Sequence, residues 1–304
     1  MSFPEEPKQQ SRLETFNQHR GLLFSIAYRM LGSSADAEDM LQETFIRWQQ
    51  ISDADIRSPR AFLVTIISRL CINRLQSAQV QREEYVGEWL PEPLLIGQMA
   101  SGPADFSRLD ESLSLAFLVL LERLNPVERA VFLLREVFDY EYAEIAQTLD
   151  QTEANCRQIL RRARQRVADI RTRFNASPLQ HQQLLGRFLE ASSSGKLDEL
   201  VALLSNEVVL HSDGGGKAPA LPKPIYGPDN VARALLGSLK KFVPQDLVER
   251  MTQINGKPGI VAYRAGRPYA VLTMDVTDGL IQNLYIVTNP EKLASLPDIP
   301  EASF

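Results

Sequence analysis

The chain has 304 residues, more than one ordinary hydrophobic core supports, which indicates two or three domains. Hydrophobic residues make up 44% and charged residues 23%, as in globular proteins that fold in water. No run of eighteen apolar residues is present, so we expect no membrane-spanning helix, and the first residues lack the blocks of a secretory signal. Cys71 and Cys156 lie among apolar residues at helical spacing, which predicts reduced core thiols in a cytoplasmic protein.

The N-terminal part of the chain, residues 11–86, has the apolar spacing of helices throughout. The first helix is predicted to end at Gly32, and the second opens with acidic residues, which the helix dipole favours in a first turn. Pro59 is suited to the first position of a third helix. Residues 87–108 contain three prolines and three glycines and are predicted to be a linker, yet Trp89 and Leu90 make it too apolar for a free tether.

A local concentration of positive charge lies within a net charge of −5. Between Thr152 and Arg173, seven arginines stand against Glu153 and Asp169, and all lie on one predicted helix. These arginines are Arg157, Arg161, Arg162, Arg164, Arg166, Arg171 and Arg173. A basic helix indicates binding to nucleic-acid phosphates, although a solvated face of a helical bundle would look similar.

Residues 140–167 have the pattern of a helix-turn-helix. Ala146 is the small residue where the two helices meet, Leu149 closes the first helix, Asp150 occupies the turn where glycine is usual, and Thr152 caps the second helix. The buried stripe of the second helix is predicted to be Cys156, Leu160, Ala163 and Val167. Its opposite side can bond guanine and adenine edges, and it carries Asn155, Arg157, Gln158, Arg161 and Arg162. We expect the remaining arginines to contact phosphates.

The chain changes character after Pro178. Helices are predicted over 179–191, 197–204 and 227–240, and a strand over 207–212. Further strands follow, separated by Asn-Gly, Ala-Gly and Asp-Gly turns, of which the first and last are strong hairpin signals. This part is therefore predicted to be an α+β domain.

The order of two separated blocks resembles the extracytoplasmic-function (ECF) sigma factors of the sigma-70 family. The first block is Asp36–Phe45 with Trp48, followed by Ser58–Leu63, and the second is Leu124–Leu133 with the helix-turn-helix. The resemblance implies a first helical domain that binds the RNA polymerase core and melts the −10 promoter element, and a second that reads the −35 element. It implies polymerase contacts from one ridge of a helix, at Asp36, Asp39, Gln42 and Glu43, and further DNA contacts from Arg69, Asn73 and Arg74. A solvated acidic face is the alternative interpretation of that ridge.

Three shorter blocks resemble one subgroup, the ECF41 group, in which a SnoaL-like domain is fused behind the sigma domains. They are Trp89, Leu90, Pro91, Glu92 and Pro93; Asp213, Gly214, Gly215, Gly216 and Lys217; and Asn289, Pro290, Glu291, Lys292 and Leu293. The last block has Glu291 where aspartate is typical. The resemblance implies that these residues make regulatory contacts, and that the C-terminal domain acts on the sigma domains of the same chain in place of a separate anti-sigma partner.

The expected fold is two all-α domains, the second a helix-turn-helix, followed by an α+β SnoaL/NTF2-like cone. The predicted boundaries are 11–86 for sigma region 2, 87–108 for the linker, 109–175 for sigma region 4, 178–293 for the SnoaL-like domain and 294–304 for a tail. The expected partners are core RNA polymerase and promoter DNA. Whether the C-terminal domain also binds a small-molecule ligand is left open by the sequence. We expect no metal, no cofactor and no membrane contact, and a monomer when free.

Two other classes of function fit parts of the sequence. A plain helix-turn-helix repressor would bind DNA alone, as a dimer on a palindrome. A SnoaL-like enzyme would need acid-base residues facing its pocket, for which His211 and Asp213 are the candidates if the strand extends that far. Gly214–Lys217 lacks the spacing of a phosphate-binding loop. Four tyrosines are available as lining for such a pocket: Tyr226, Tyr263, Tyr269 and Tyr285.

Overall fold

The computed structural model describes residues 6–51, 56, 58–82, 85–95, 111–167 and 177–300. The linker beyond residue 95, Arg171, Arg173 and the last four residues of the predicted tail therefore lie outside the described residues. The chain forms two compact units. The first takes its described residues from 1–81, 99–112 and 120–168, and the second from 82–98, 113–119 and 169–304. No helix among the described residues is long and apolar enough to cross a membrane.

Three long helices form the N-terminal part of the first unit: α1 (Glu6–Leu31), α2 (Ser34–Gln50) and α3 (Pro59–Arg82). The predicted break between the first two is present, with Gly32 at a φ of 68° and the Ser33 side chain accepting from the Asp36 backbone amide. Four residues on one side of α2 are buried, Ala37, Leu41, Thr44 and Trp48. Both cysteines, Cys71 on α3 and Cys156, are buried free thiols, as predicted.

The remainder of this unit is a second group of helices: α5 (Pro126–Glu136), α6 (Tyr142–Leu149) and α7 (Glu153–Val167). They follow a 3-10 turn at Glu111–Leu113 and the short helix α4 (Leu115–Leu121), whose last two residues belong to this unit. Asn125 begins α5 with a reciprocal capping box to Glu128. Two arginines, the buried Arg129 and the exposed Arg69, connect the two groups of helices. Arg129 Nη1 donates to Met30 O at 2.6 Å, and Arg69 Nε donates to Thr148 O at 2.8 Å.

The second unit is an α+β domain built on a six-stranded sheet. Its helices are α8 (Pro178–Ser194), α9 (Leu197–Val201), α10 (Pro228–Phe242) and α11 (Pro290–Leu293). Its strands are β1 (Leu204–Asp213), β2 (Ile225–Tyr226), β3 (Val248–Ile254), β4 (Lys257–Arg264), β5 (Arg267–Thr277) and β6 (Leu280–Val287), in the sheet order β2-β1-β6-β5-β4-β3. The predicted fold class is confirmed. The predicted helix over 197–204 was too long, because it ends at Val201 and Leu204 already pairs with Ile281 in the sheet.

Tight hairpins join the last four strands, and each has two residues with positive φ. The pairs are Asn255-Gly256, Ala265-Gly266 and Asp278-Gly279. Turns of this form match the twist of the flanking strands, which is why asparagine, aspartate and glycine are favoured in them. The predicted hairpins are therefore present. β1 pairs in parallel with β6, and β2 forms the edge of the sheet beyond β1.

Hydrophobic clusters lie on both faces of this sheet. On one face, α8, α9 and α10 pack on residues such as Leu210, Ile260 and Leu284. On the other face, a second cluster contains Val261, Tyr263, Val271, Tyr285 and Val287 together with Leu90, Leu115, Leu293 and Leu296. Leu90 of the predicted linker is fully buried there. Both faces of the sheet are therefore covered, one by helices and the other partly by the linker.

Candidate functional site

The turn of the helix-turn-helix has the geometry that its sequence predicts. Asp150 adopts the left-handed conformation at φ 54° and ψ 51°, and Gln151 N donates to Ala146 O at 2.9 Å. Thr152 Oγ1 then accepts from Asn155 N at 3.2 Å and so caps the following helix. The inner face of α7 is buried through the predicted stripe of Cys156, Leu160, Ala163 and Val167.

The outer face of α7 carries the predicted base-reading side chains. Arg157, Gln158, Arg161 and Arg162 are exposed, whereas Asn155 is half-buried and donates to Gln151 Oε1 at 2.6 Å. Arg157 is held by Glu153 at 2.6 Å and lies over the Tyr142 ring at 4.9 Å. Gln158, Arg161 and Arg162 have no hydrogen-bond partner among the described residues, so their polar ends are available to a ligand.

Two arginines of α7 have a role that the sequence did not indicate. Arg164 bonds Glu136 at 2.5 Å and Arg166 bonds Glu128, a buried residue, also at 2.5 Å. Both partners lie on α5, so these arginines fix α7 on its neighbour. Their contact with phosphates stays a prediction, and it would require both arginines to exchange these carboxylate partners for DNA.

The predicted polymerase-binding ridge on α2 is only partly free. Asp39 and Gln42 are exposed, while Glu43 pairs with Arg47 at 2.8 Å. Asp36 accepts from Arg74 Nη2 at 2.6 Å, so a predicted polymerase contact is bonded to a predicted DNA contact. Ile46 lies one turn along the same ridge and is 48% exposed. An exposed isoleucine on an acidic ridge was missed in the sequence, where it looked like one more apolar residue of the helix.

The three predicted DNA contacts on α3 lie on exposed positions of that helix. Arg69 is bonded to the last carbonyls of α6, with Thr148 O at 2.8 Å and Gln147 O at 3.4 Å. A cation is favoured at a helix C-terminus, so the helix dipole of α6 stabilises this contact. Asn73 has an exposed side chain, and Arg74 is held by Asp36.

Asp213 is the centre of the contacts between the C-terminal domain and residues 85–95, which we call the linker segment. Its carboxylate is completely buried and accepts from Tyr85 Oη at 2.6 Å and from Leu90 N at 2.8 Å. It also accepts from Gly215 N at 2.9 Å and from Lys292 Nζ at 2.6 Å. A buried carboxylate is stable only when its oxygens are bonded in this way.

Lys292 and Asn289 complete this site from the end of the sheet. Lys292 Nζ also donates to Leu90 O and lies 4.1 Å from the centre of the Trp89 ring. Asn289 Nδ2 donates to Tyr85 Oη at 2.9 Å. Burial, together with the bond to Asp213, raises the pKa of Tyr85, which therefore stays protonated as a donor. All three signature blocks thus meet here, and Tyr85 joins them as a residue that the sequence did not single out.

Two of the glycines after Asp213 have positive φ and closely packed surroundings. A Cβ on Gly215 would lie 2.3 Å from the Asn289 side-chain nitrogen, and one on Gly216 would lie 3.0 Å from Val86 Cβ. Lys217 then pairs with Glu291 at the surface. The glycine run therefore allows close approach of the loop to Asn289 and to Val86 of the linker segment, which agrees with the view that it is not a phosphate-binding loop.

The linker segment is also fastened at its far end. Asn255 Oδ1 accepts from Leu94 N at 2.9 Å, and Asn255 N donates to Leu94 O at 2.8 Å. Asn255 Nδ2 donates to Leu113 O at 3.0 Å. Asn255 was predicted only as a turn residue, and its second role could not be read from a local pattern.

The candidate acid-base pair faces away from the domain's cavity. The strand does reach Asp213, so His211 and Asp213 share a face, but their neighbours Leu210 and Ser212 line a cavity of about 820 Å³ on the opposite face. His211 Nδ1 lies 2.7 Å from Glu88 Oε1 of the linker segment. Only one of the four tyrosines expected as lining contributes to the cavity, Tyr269, since Tyr263 and Tyr285 lie in the opposite cluster and Tyr226 is 65% exposed.

A buried carboxyl group lies beside this pair. Asp275 accepts from Tyr285 Oη at 2.9 Å, and the Tyr285 ring stacks on His211 with centroids 5.1 Å apart. Burial raises the pKa of Asp275 to about 6, against bonds from Tyr285 and Asn283 that lower it. These groups support the linker-binding face of the sheet rather than an open pocket.

The chain is similar to known proteins along most of its length. The sequence matches sigma-70 region 2 over residues 15–80 and sigma-70 region 4 over residues 114–167. The ECF RNA polymerase sigma factor SigJ of Mycobacterium tuberculosis (strain ATCC 25618 / H37Rv) is 36% identical, over 94% of this chain and 94% of its own length. The chain therefore belongs to the ECF sigma factors of the sigma-70 family, which are transcription initiation factors and not enzymes.

Similarity continues through the C-terminal domain. The crystal structure of Mycobacterium tuberculosis SigJ aligns with 93% of this chain and 98% of its own, with a TM-score of 0.74 and 34% identity. The probable ECF RNA polymerase sigma factor SigI of Mycobacterium tuberculosis (strain CDC 1551 / Oshkosh) is 31% identical over 91% of this chain and 93% of its own. Within its family the chain has the ECF41 arrangement, with a SnoaL-like domain fused behind the two sigma regions.

Proposed function

We propose that this sigma factor binds core RNA polymerase through the ridge of α2, reads promoter DNA through α3 and α7, and is controlled in cis by its C-terminal domain. The proposed division of the chain is 11–86 for polymerase and the −10 element, 109–175 for the −35 element, and 178–293 for regulation. Asp39, Gln42 and Ile46 provide the exposed part of the ridge, and Asp36 and Glu43 would join them after releasing their arginines. Because the proposed partners are polymerase and promoter DNA, we place the protein in the cytoplasm and expect a monomer when free.

For DNA reading, the supporting observation is the exposed polar face of α7. Gln158, Arg161 and Arg162 project from a helix whose other side is committed to the core, with Asn155 and Arg157 beside them. Arginine and glutamine can each form two hydrogen bonds to one base edge. On α3, Asn73 is accessible, whereas Arg69 and Arg74 would exchange their protein partners for the −10 strand.

Control in cis is supported by a single observation, the burial of the linker segment on the sheet. Asp213, Asn289 and Lys292 bind backbone and side-chain groups of a segment that connects sigma region 2 to sigma region 4 in the sequence. A linker segment (residues 85–95) held at both of its ends restrains how the two regions can be placed on a promoter. The C-terminal domain therefore acts as a regulatory part of the chain, and a small molecule in its cavity is the proposed signal.

An in-vitro transcription assay tests the sigma activity, and a reporter assay tests the control in cis. Full-length protein should support specific initiation only when core polymerase is added, and binding to DNA alone as a dimer would instead indicate a repressor. A reporter assay then compares full-length protein with chains truncated at Ser177 and at Asn289, at equal protein levels. The first truncation removes the whole sheet and the second removes the end that holds Asn289 and Lys292, so their outputs should differ from that of full-length protein. Three equal outputs would show that the domain is a passenger.

A further inference from the structure

The cavity of the C-terminal domain lies between the sheet and its helices, on the face opposite the linker segment. Its volume is about 820 Å³, within the range of sites that enclose a drug-sized molecule. Residues from α8, α10 and five of the strands line it, among them Phe188, Leu210, Leu235, Ile260 and Leu272. A cavity of this size bordered mainly by aliphatic side chains favours a ligand that is itself apolar.

Charged side chains occur only at the rim of this cavity. Among the described residues that line it, Lys240 and Glu249 are the charged ones, and both are exposed. The buried polar groups of the lining are neutral hydroxyls such as that of Ser212. A charged group taken into the interior would lose its hydration without gaining an opposite charge, which is unfavourable. The interior therefore selects against ions.

Two helices end at the rim, and their C-termini influence which polar group of a ligand is favoured there. The last turn of α8, at Ser192 and Ser193, and the last turn of α10, at Ser238–Phe242, both border the cavity. A helix C-terminus carries partial negative charge from its carbonyl groups. These helix ends disfavour a carboxylate or phosphate, against the attraction of the exposed Lys240, whereas a hydroxyl or amide could donate to their carbonyl groups.

Large apolar side chains are exposed at the same rim. Leu239, Phe242 and Val243 are 37%, 48% and 36% exposed, and Tyr269 Oη donates to Phe242 O at 3.2 Å. Apolar surface clustered at the mouth of an apolar cavity is costly in water and is covered when a ligand fills the site. From these observations we infer that the cavity binds an uncharged, mainly hydrocarbon small molecule whose polar end is a hydrogen-bond donor at the rim.

This inference rests on the proposed ligand-binding role of the domain and names the class of ligand. The experiment measures displacement of the neutral dye Nile Red from full-length protein by 1-decanol and by decanoate, which have the same hydrocarbon chain and differ in charge at pH 8. We expect decanol to bind at least about tenfold more tightly than decanoate, as expected for the desolvation of a charge. Tighter binding of decanoate, lost on Lys240→Ala, would overturn the ligand class while leaving a ligand site in place.

Substitutions in the lining test whether the dye and decanol bind in this cavity. Ala262 lies on β4 and lines the cavity, so Ala262→Phe should abolish binding of both dye and decanol, whereas Ala262→Ser, which preserves the volume, should retain it. Leu239→Ser removes only exposed apolar surface at the rim, is expected to leave the fold intact, and should weaken decanol binding by roughly threefold to tenfold. Binding unaffected by Ala262→Phe and by Leu239→Ser, or no binding by the unmodified protein, would overturn the proposal. None of these results bears on transcription with core polymerase, which tests the sigma activity separately.

Discussion

Replacing Lys292 with methionine should release the linker segment from the sheet. The methionine retains most of the length of the side chain but leaves the buried Asp213 carboxylate without its positive partner and Leu90 O without its donor. Removing one member of a buried ion pair generally costs about 3–5 kcal/mol. Lys217→Met is the matched control, because its pair with Glu291 is exposed and such pairs contribute about 0–1 kcal/mol.

Hydrogen exchange of the backbone amides in the linker segment is the direct assay. The Leu90 amide bonds the Asp213 carboxylate and the Leu94 amide bonds Asn255, so both should be protected while the segment is held. If Lys292→Met weakens holding by about 3 kcal/mol, exchange at Leu90 should accelerate by roughly a hundredfold, since each 1.4 kcal/mol is about a factor of ten. A double variant with Asp213→Asn should cost clearly less than the sum of the two single changes.

Promoter output is the second measurement on the same variants. Lys292→Met should alter reporter output at equal protein levels, and Lys217→Met should leave it at the level of the unmodified protein. Equal exchange rates at Leu90 in these two variants would refute the reasoning, because Asp213 would then not depend on Lys292. Faster exchange at Leu90 with unchanged reporter output would show that binding of the linker segment does not control promoter output.

Gln158→Ala and Arg161→Ala should each weaken promoter use by about 1–3 kcal/mol at particular bases, tested by footprinting on a library of −35 variants, and a loss spread evenly over all sequences would indicate phosphate contacts only. Asp39→Lys combined with Glu43→Lys should abolish the pull-down of core polymerase without changing the far-ultraviolet circular dichroism, and an undiminished pull-down would leave the ridge as a solvated face. Burial raises the pKa of Asp275 from 3.8 to about 6, so its contribution to stability is complete below 3.8 and is lost as pH rises through 6. Asp275→Asn should therefore melt like the unmodified protein at pH 4 and be more stable by roughly 2 kcal/mol at pH 8, whereas parallel stability profiles would contradict the assignment.

The helix-turn-helix could be predicted closely because its determinants are local. Residues three and four positions apart define the buried stripe of α7, and Asp150 and Thr152 act within a few residues of their own positions. The same short-range logic correctly predicted the hairpins of the sheet. By contrast, the ion pairs of Arg164 and Arg166 could not be predicted, because their partners on α5 lie 28 and 38 residues away in sequence.

The linker-binding site could be predicted only in outline. The apolar character of Trp89 and Leu90 indicated that the segment is covered, but the bond from Tyr85 to Asp213 spans 128 residues and has no periodic signal. The orientation of His211 was likewise undetermined, because alternation along a strand shows which residues share a face but not which face the helices cover. That choice depends on where α8 and α10 pack, which only the folded domain defines.

Successive residues of β1 contribute to different sites: Leu210 and Ser212 to the cavity, and His211 and Asp213 to the linker-binding face. Substitutions at the first pair can change which molecule fits without altering any bond to the linker segment. Under the proposed regulation, homologues can therefore differ in the ligand of the cavity and keep the same contacts to the linker segment. The same arrangement suits engineering, since redesigned cavity walls would leave Asp213 and its partners in place. A single inserted residue in the strand would exchange the two faces and disable both sites together.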